Sequence, residues 1–479
     1  IAISIDSLKC FMVLECAFFD RYGFILFMIA SERRAVFSLG LLYASRMLGL
    51  FMVLPVFMIY GQNLEQSNEM LLGLAIGAYG LSQAVFQIPF GSLSDKYGRK
   101  PLIFIGLLVF FLGSVLAASA DHIYGVILGR FLQGAGAIAS VLMALLSDLT
   151  SFESRTKAMA MIGMSIGISF TAALIIGPLV AASFGLQGIF WLTALFAVLG
   201  MLCLFFLVPS PLFITKDRNT RIFKDQIKDV LQNSELLKLD FGIFALHLCL
   251  TALFIAVPIT LQQKLGLPGE EHWLVYLTVM VLSFFAMVPF IIYGEKKQQM
   301  KKTFLFAISL LMLSGLSFIL TQSSFNYFWC SLFFYFMAFN LLEASLPSLV
   351  SKLAPAASKG TAMGVYSTTQ FLGAFVGGVL GGWLLSLFGE NGVYLLVGIT
   401  CFVWLIFARM MKNPSNETGM TLRLTKLIDA NKIQISHALT NIPGIEEVVL
   451  IVEDQVAYLK VKKTELDQQQ LDDLMECYR

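Results

Sequence analysis

The sequence predicts an all-α membrane protein with twelve transmembrane helices in two six-helix halves, followed by a small α+β domain of ferredoxin-like shape. Of the 479 residues, 57% are hydrophobic and only 13% are charged, whereas soluble domains carry about 25% charged residues. The apolar residues fall into runs long enough to cross a bilayer as helices, which takes about 20 residues. After residue 419 the composition changes to that of a soluble domain.

Short polar turns separate the apolar runs, and a longer charged segment follows the sixth run. We expect transmembrane spans at residues 36–60, 72–92, 101–120, 122–147, 158–183, 188–208, 239–263, 272–294, 303–321, 325–350, 360–388 and 391–411. Basic residues cluster in alternate connections, and the other connections contain one, Lys264. By the positive-inside rule this asymmetry places both chain termini in the cytoplasm.

The same pattern predicts the domain organisation. Residues 1–27 lack the features of a signal peptide, and we interpret Met28 as the natural translation start. The expected segments are an N-terminal extension (1–35), a first six-helix half (36–208), a cytoplasmic central loop (209–238), a second six-helix half (239–411), a linker (412–419) and a cytoplasmic domain (420–479). Within the central loop, Phe223–Leu231 has the pattern of an amphipathic surface helix.

The most informative stretch is the turn Gly91–Pro101 between the second and third spans. Its glycines and charged residues match motif A of the major facilitator superfamily, G-x-L-x-D-[RK]-x-G-R-[RK], at Gly91, Leu93, Asp95, Lys96, Gly98, Arg99 and Lys100. The chain therefore resembles that superfamily. We expect Asp95 near the start of the following helix, where its charge would suit the helix dipole, and Gly98 at positive φ or in a close contact.

The resemblance implies two parallel halves with the substrate path between them. It also implies a cytoplasmic latch in which Asp95 and Arg99 interact with an acidic residue at the inner end of span 4, here Asp148. Asp95 would face the start of span 11 and hold the inner gate shut in the outward-facing state. Gly91, Gly98 and Lys100 belong to the same gate.

Three ionisable residues lie deep in spans, where charge is costly and usually faces a cavity or a partner: Arg46, Arg130 and Glu343. Arg130 matches the arginine of the superfamily's motif B, which the resemblance associates with proton coupling; the alternative is a structural arginine. Glu343 could load and release a proton, or pair permanently with a polar neighbour. Arg46 could hold an anion, pair with Glu343 or gate the path, and a structural or gating role is favoured. His247 is a proton-relay candidate or a polar packing residue.

Two further groups of residues complete the predicted site. Gly177-Pro178 in span 5 resembles the motif C associated with antiporters of the superfamily, and its physical content is close helix packing through small residues. A polar and aromatic substrate cavity is predicted from Gln83, Gln87, Gln133, Asn340, Tyr366 and Gln370.

These observations favour proton-driven export of a small amphipathic compound, with symport, facilitated diffusion, or a membrane sensor whose tail relays ligand occupancy as alternatives. The seven cysteines form no C-x-x-C pair and the four histidines show no ligand spacing, so we expect no metal and no cofactor. No nucleophile–base pattern indicates an enzyme. The expected partners are a small-molecule substrate, protons and the lipid bilayer of a bacterial inner membrane, and the absence of a basic block argues against nucleic acid.

The tail has the element order β-α-β-β-α. We expect a strand at Met420–Leu427, a helix at Ala430–Asn441, a hairpin of Val448–Val452 with Val456–Val461, and a helix at Leu466–Tyr478. The tail resembles the YAM domain, a cytoplasmic domain appended to bacterial members of the superfamily.

Overall fold

The computed structural model describes residues 30–209, 227–354, 359–412, 417–424, 432–452, 456–462 and 465–478. The proposed start at Met28 and most of the predicted central loop, 210–226, lie outside these residues.

Within the described residues, eleven long or medium helices make up the membrane part. They are α1 (Ala30–Phe51), α2 (Glu69–Tyr97), α3 (Arg99–Ala118), α4 (Ile123–Ala135), α5 (Ala139–Leu149), α6 (Phe152–Phe206), α7 (Ser234–Ile259), α8 (His272–Lys296), α9 (Met300–Thr321), α10 (Phe325–Leu353) and α11 (Lys359–Arg409). Short helical turns lie at Phe57–Tyr60, Gly61–Asn63, Thr260–Lys264 and Gly269–Glu271.

Ten segments of the described chain are long and apolar enough to cross a membrane, because α4 and α5 together count as one. The two longest helices each contain a single non-helical residue, Gly185 in α6 (φ 64°) and Gly389 in α11 (φ 63°). Glycine tolerates this positive φ, so each long helix folds into two spans. The prediction of twelve spans is confirmed.

The described residues of the chain, including the tail, fall into two compact units. The first unit takes those within Ile1–Asp217 together with Phe254–Leu277 and Gly378–Glu390. The second unit takes those within Arg218–Leu253, Thr278–Gly377 and Asn391–Arg479. The unit boundaries therefore cut through α7, α8 and α11. The last turn of α7, the first turns of α8 and the middle of α11 belong to the first unit.

Glycines allow α3 and α4 to pack closely within the first unit. A Cβ added to Gly113 would lie 2.6 Å from the backbone nitrogen of Gln133, and one added to Gly129 would lie 2.7 Å from the carbonyl oxygen of Gly113. Both distances are too short for any other residue, so the two backbones touch. This contact brings the polar residues of α3 and α4 together in the bundle interior.

The tail has a three-stranded antiparallel sheet, and two helices complete it. The elements are β1 (Glu417–Arg423), α12 (Lys432–Thr440), β2 (Ile445–Ile451), β3 (Val456–Lys462) and α13 (Gln468–Tyr478). The strand order is β1-β3-β2, and buried aliphatic residues such as Ile435, Leu459 and Leu471 form its core. The predicted β-α-β-β-α order is confirmed, although β1 begins and ends earlier than expected. The residues between β2 and β3 in the predicted hairpin lie outside the described part of the chain.

Candidate functional site

The motif A turn brings three charged side chains together in the first unit. Arg99 Nε donates to Asp148 Oδ2 at 3.1 Å, and Arg99 Nη1 donates to Ser94 Oγ at 2.6 Å. The same guanidinium forms an ion pair with Asp95. Arg99 thus bridges the end of α2 to the end of α5. The contact of Asp95 with the start of span 11 stays a prediction.

The expectation that Asp95 lies near the start of the following helix is wrong. Asp95 lies in the last turn of α2, which ends at Tyr97, and α3 begins at Arg99. The negative end of the α2 dipole disfavours a carboxylate there, and the ion pair with Arg99 compensates for it. Gly98 between the two helices has φ 94°, so the structure has the positive φ, one of the two alternatives expected from the sequence.

The other residues predicted for the gate lie around the same turn. Lys100 Nζ donates to the carbonyl oxygen of Val208 at 2.7 Å, which connects the start of α3 to the end of α6. A Cβ added to Gly91 would lie 3.4 Å from Ser140 Oγ, at the start of α5. The motif A segment therefore contacts several helices of the first unit.

Arg130 of the motif B segment lies inside the first unit and is 1% exposed. Its Nη1 donates to Gln133 Oε1 at 3.0 Å, and Gln133 Nε2 donates to Ser114 Oγ at 2.9 Å. The guanidinium also lies over the ring of Tyr79, 5.0 Å from its centroid. Arg130 thus has neutral polar and aromatic neighbours.

Arg46 lies in the same bundle and is 2% exposed. Its Nη2 donates to Gln83 Oε1 at 2.6 Å and to the hydroxyl of Tyr79 at 3.2 Å. Gln83 Nε2 then donates to Gln87 Oε1 at 3.1 Å. Three of the predicted cavity residues, Gln83, Gln87 and Gln133, are therefore buried in networks around the two arginines.

The second unit contains a carboxylate and an imidazole inside the spans. His247 Nε2 on α7 lies 3.9 Å from Glu343 Oε2 on α10, and it lies 2.7 Å from Gln370 Nε2 on α11. The Glu343 side chain is 39% exposed, whereas that of His247 is 11% exposed. Glu343 Oε2 has no hydrogen-bond partner within 3.5 Å.

Other polar groups surround this pair. Asn340, one turn from Glu343, donates to Ser283 Oγ on α8 at 3.1 Å. The hydroxyl of Tyr366 and Oδ2 of Asp240 are buried without a hydrogen bond. The three predicted cavity residues of the second half thus lie on α10 and α11, and Gln370 contacts His247 directly.

The motif C residues make a backbone contact. A Cβ added to Gly177 would lie 2.5 Å from the carbonyl oxygen of Met52, so α6 and the segment after α1 approach through this glycine. Pro178 follows inside α6. The predicted close packing at motif C is present in the first unit.

Sequence reasoning missed contacts that form only across helices. Tyr79 contacts both arginines, Ser114 accepts from Gln133, and Ser283 accepts from Asn340. The sulfur atoms of Cys249 and Cys401 also lie 3.7 Å apart, although no sequence spacing indicates a pair. Among the described residues, no group of three or more His, Cys, Asp and Glu side chains could hold a metal ion.

Comparison with known proteins decides the family. The model of the Major Facilitator Superfamily matches residues 39–378 and 350–442. The chain belongs to the major facilitator superfamily. It is 47% identical over 434 residues to the inner membrane transport protein YajR of Escherichia coli (strain K12), covering 91% of this chain and 95% of that protein. It is 24% identical over 389 residues to multidrug resistance protein 2 of Bacillus subtilis (strain 168), covering 78% and 94%.

Solved structures show the same fold. The human organic anion transporter MFSD10 (TETRAN) has a TM-score of 0.60 at 18% identity, covering 79% of this chain and 100% of that one. A D-xylose–proton symporter has a TM-score of 0.65 at 18% identity, covering 80% and 98%. The family match and the similarity to the Escherichia coli transport protein show that the chain is a multi-pass membrane transporter of this superfamily.

Proposed function

We propose that this transporter exports a small amphipathic compound against inward proton flow, by alternating access. The observation that carries the proposal is the Glu343–His247 pair. A carboxylate with an unbonded oxygen lies inside a membrane span, is partly exposed, and has an imidazole 3.9 Å away. Such a carboxyl group can take up a proton on one side of the membrane and release it on the other.

Each partner has a separate role in this proposal. Glu343 is the proton carrier, because its side chain is partly exposed and its Oε2, beside the imidazole, accepts no hydrogen bond. His247 exchanges the proton with it or stabilises its ionised form, and Gln370 fixes the imidazole through the 2.7 Å contact. We assign Arg130 to proton coupling because it matches the arginine of motif B. Arg46 keeps the structural or gating role expected from the sequence.

The substrate class, the direction and the location follow from the relatives and from the charge pattern. Relatives named as multidrug resistance proteins favour export of an amphipathic compound. The similarity to an inner membrane protein supports the same location here, and the basic connections favour cytoplasmic termini. We further propose that residues 420–479 form a cytoplasmic domain of the YAM type that acts on the inner gate or on assembly.

The cycle needs two states that protons and substrate populate differently. We propose that Asp95, Arg99 and Asp148 form part of the latch that closes the cytoplasmic side. Protonation of Glu343 and binding of the compound would then shift the equilibrium between the two states. The membrane potential adds about 2.3 kcal/mol per charge per 100 mV to drive the cycle.

The test uses inverted vesicles with an acidic interior and a pH-sensitive dye. A panel of compounds is added outside, and proton release is compared for wild type, Glu343→Gln and Arg130→Ala. We expect one or more compounds to release protons with wild type and with neither variant. Glu271→Gln is the matched control, since Glu271 is an exposed carboxylate outside the pair, and it should behave as wild type.

The alternatives give different results in the same vesicles. Compound-driven proton uptake in place of release would indicate symport. Compound flux that ignores the pH gradient would indicate facilitated diffusion. Compound binding in detergent without any flux would favour the sensor, and normal release by Glu343→Gln would remove Glu343 from the proton path.

A further inference from the structure

Among its described residues, the first unit holds two buried arginines, and no carboxylate there forms a salt bridge with either. Arg46 and Arg130 are 2% and 1% exposed. Among the salt bridges of the described residues, none involves Arg46 or Arg130. A guanidinium keeps its charge in proteins, and a buried charge is expensive unless it is paired. The bundle therefore contains two positive charges that none of these salt bridges neutralises.

The neighbours of the two arginines are neutral. Arg46 bonds to Gln83 and Tyr79, and Arg130 bonds to Gln133. Arg130 and Arg46 also lie over aromatic rings, at 5.0 Å from the centroid of Tyr79 and 5.8 Å from that of Phe110. Amide oxygens and ring faces offset only part of the desolvation of a guanidinium.

Several N–H groups of these two arginines donate no hydrogen bond. Nε and Nη1 of Arg46 and Nε of Arg130 are buried and have no hydrogen-bond partner. The glutamine oxygens nearest to them already accept from arginine, and the amide nitrogens donate to Gln87 and Ser114. Unbonded buried donors are rare because each costs free energy, so this set of donors is suited to an acceptor that does not belong to the chain.

The two guanidinium groups are brought together by one residue. The hydroxyl of Tyr79 accepts from Arg46 at 3.2 Å, while the ring of Tyr79 packs against Arg130. The arginines therefore flank a single tyrosine, on helices α1 and α4 with α2 between them. An acceptor placed beside Tyr79 would meet positive charge from both sides.

We infer that Arg46, Arg130 and Tyr79 form an anion-binding site inside the first six-helix half. The ligand is a small monovalent anion of halide or carboxylate size, because both arginines are almost completely buried and the unbonded groups are guanidinium donors. The anion is either a free inorganic ion or the acidic group of a transported compound. The second source rests on the proposed export function, and the first does not.

The experiment measures the melting temperature of the purified full-length protein in detergent. Sodium gluconate, whose anion is bulky, is replaced at constant ionic strength by chloride, bromide or benzoate. A ligand that binds the folded state raises the melting temperature with its concentration. We expect an increase of several degrees with at least one of the three anions.

Matched variants assign the effect to the site. Arg46→Gln and Arg130→Gln should weaken the apparent affinity at least tenfold and so abolish the increase at the same anion concentration. Arg409→Gln, which changes an exposed arginine at the end of α11, should keep it. If a glutamine variant does not fold, Arg46→Lys and Arg130→Lys replace it, since they keep the charge and lose the forked donor geometry.

The outcomes distinguish a free inorganic anion from the acidic group of a compound, and they test the anion site separately from proton-driven export. An increase with chloride or bromide identifies an inorganic ion, and an increase with benzoate alone identifies the acidic group of a compound. No increase with any anion, or an unchanged increase in both arginine variants, overturns the inference and leaves two structural arginines. The measurement uses no proton gradient, so it can fail while proton-driven export stands, and it can succeed while export fails.

Discussion

The imidazole of His247 lies 3.9 Å from the carboxylate of Glu343, although the two residues come from different transmembrane helices. A third helix contributes Gln370, which contacts the same imidazole. The proposed proton site therefore depends on how α7, α10 and α11 pack together. If these helices move relative to one another during transport, the environment of the carboxylate changes with the conformational state, as proton coupling requires.

The role of His247 can be tested separately from that of Glu343. His247→Leu removes the imidazole and keeps an apolar side chain of similar size. We expect compound-driven proton release to fall at least tenfold, because general acid–base partners typically contribute about 10²–10⁴-fold. Compound binding in detergent should change little. His437→Leu, an exposed histidine of the tail, is the control, and equal loss in both variants would argue against a specific relay.

The latch predicts a coupling between Arg99 and Asp148. The two side chains are 19% and 27% exposed, and partly exposed ion pairs contribute up to about 1 kcal/mol. Arg99→Gln and Asp148→Asn should each impair transport, and the double variant should lose less than the sum of the two. Asp95→Asn should impair transport while membrane insertion stays intact.

A carboxylate outside the latch provides the control for these variants. Asp121 bonds to Gln187 at 3.2 Å and is exposed. Asp121→Asn should transport normally. Strictly additive losses for Arg99 and Asp148, measured as rates of compound-driven proton release, would show that the pair does not act as a unit.

Much of this architecture follows from the sequence, and the reasons are physical. Span length and charge asymmetry predict the twelve helices because the bilayer imposes both. Motif A predicts a positive φ or a close contact at Gly98, because a turn is local in sequence, and the structure has the positive φ. The predicted position of Asp95 is wrong because α2 continues to Tyr97, so that Asp95 belongs to its last turn, and α3 begins only at Arg99. The pairs of His247 with Glu343 and of Arg46 with Gln83 depend on helix rotation, which no local pattern specifies.

The contact between α2 and α11 predicts that Gly378 tolerates no side chain. A Cβ added to Gly378 would lie 2.7 Å from the carbonyl oxygen of Gly73 and 2.8 Å from the backbone nitrogen of Gly77. The clash is with backbone, so it cannot be relieved by rotating a side chain. Gly378→Val should lower the stability of the folded protein by about 1–3 kcal/mol, or force the two helices apart and impair transport.

The same helix contains the matched control. A Cβ added to Gly364 of α11 meets nothing within 4 Å, so Gly364→Ala should leave the melting temperature and transport unchanged. Melting of the detergent-purified variants gives the stability, and vesicle assays give the transport rate. Wild-type values for Gly378→Val in both assays would contradict the close approach of α2 and α11.

The backbone of Gly98 gives a prediction about the motif A turn. At φ 94° an alanine is strained by about 1–2 kcal/mol, although the space around the added Cβ is open up to Pro101 at 3.7 Å. Gly98→Ala should lower the melting temperature and displace Arg99 from Asp148. Gly163→Ala is the control for a general effect of alanine, because a Cβ added there meets no atom within 4 Å. Equal melting temperatures of the two variants would exclude backbone strain at Gly98.

The end of α11, where the chain leaves the membrane part, is held by a lysine. Lys301 Nζ donates to the carbonyl oxygen of Arg409 at 3.0 Å and also to that of Met411, and a cation there satisfies carbonyls that the helix leaves unbonded. Lys301→Met should loosen this end and speed tryptic cleavage after Lys412 several-fold. Lys302→Met changes the exposed neighbouring lysine and should leave the cleavage rate unchanged. Faster cleavage in both variants would indicate a general loss of charge, and a wild-type rate in Lys301→Met would show that other contacts hold the end of α11.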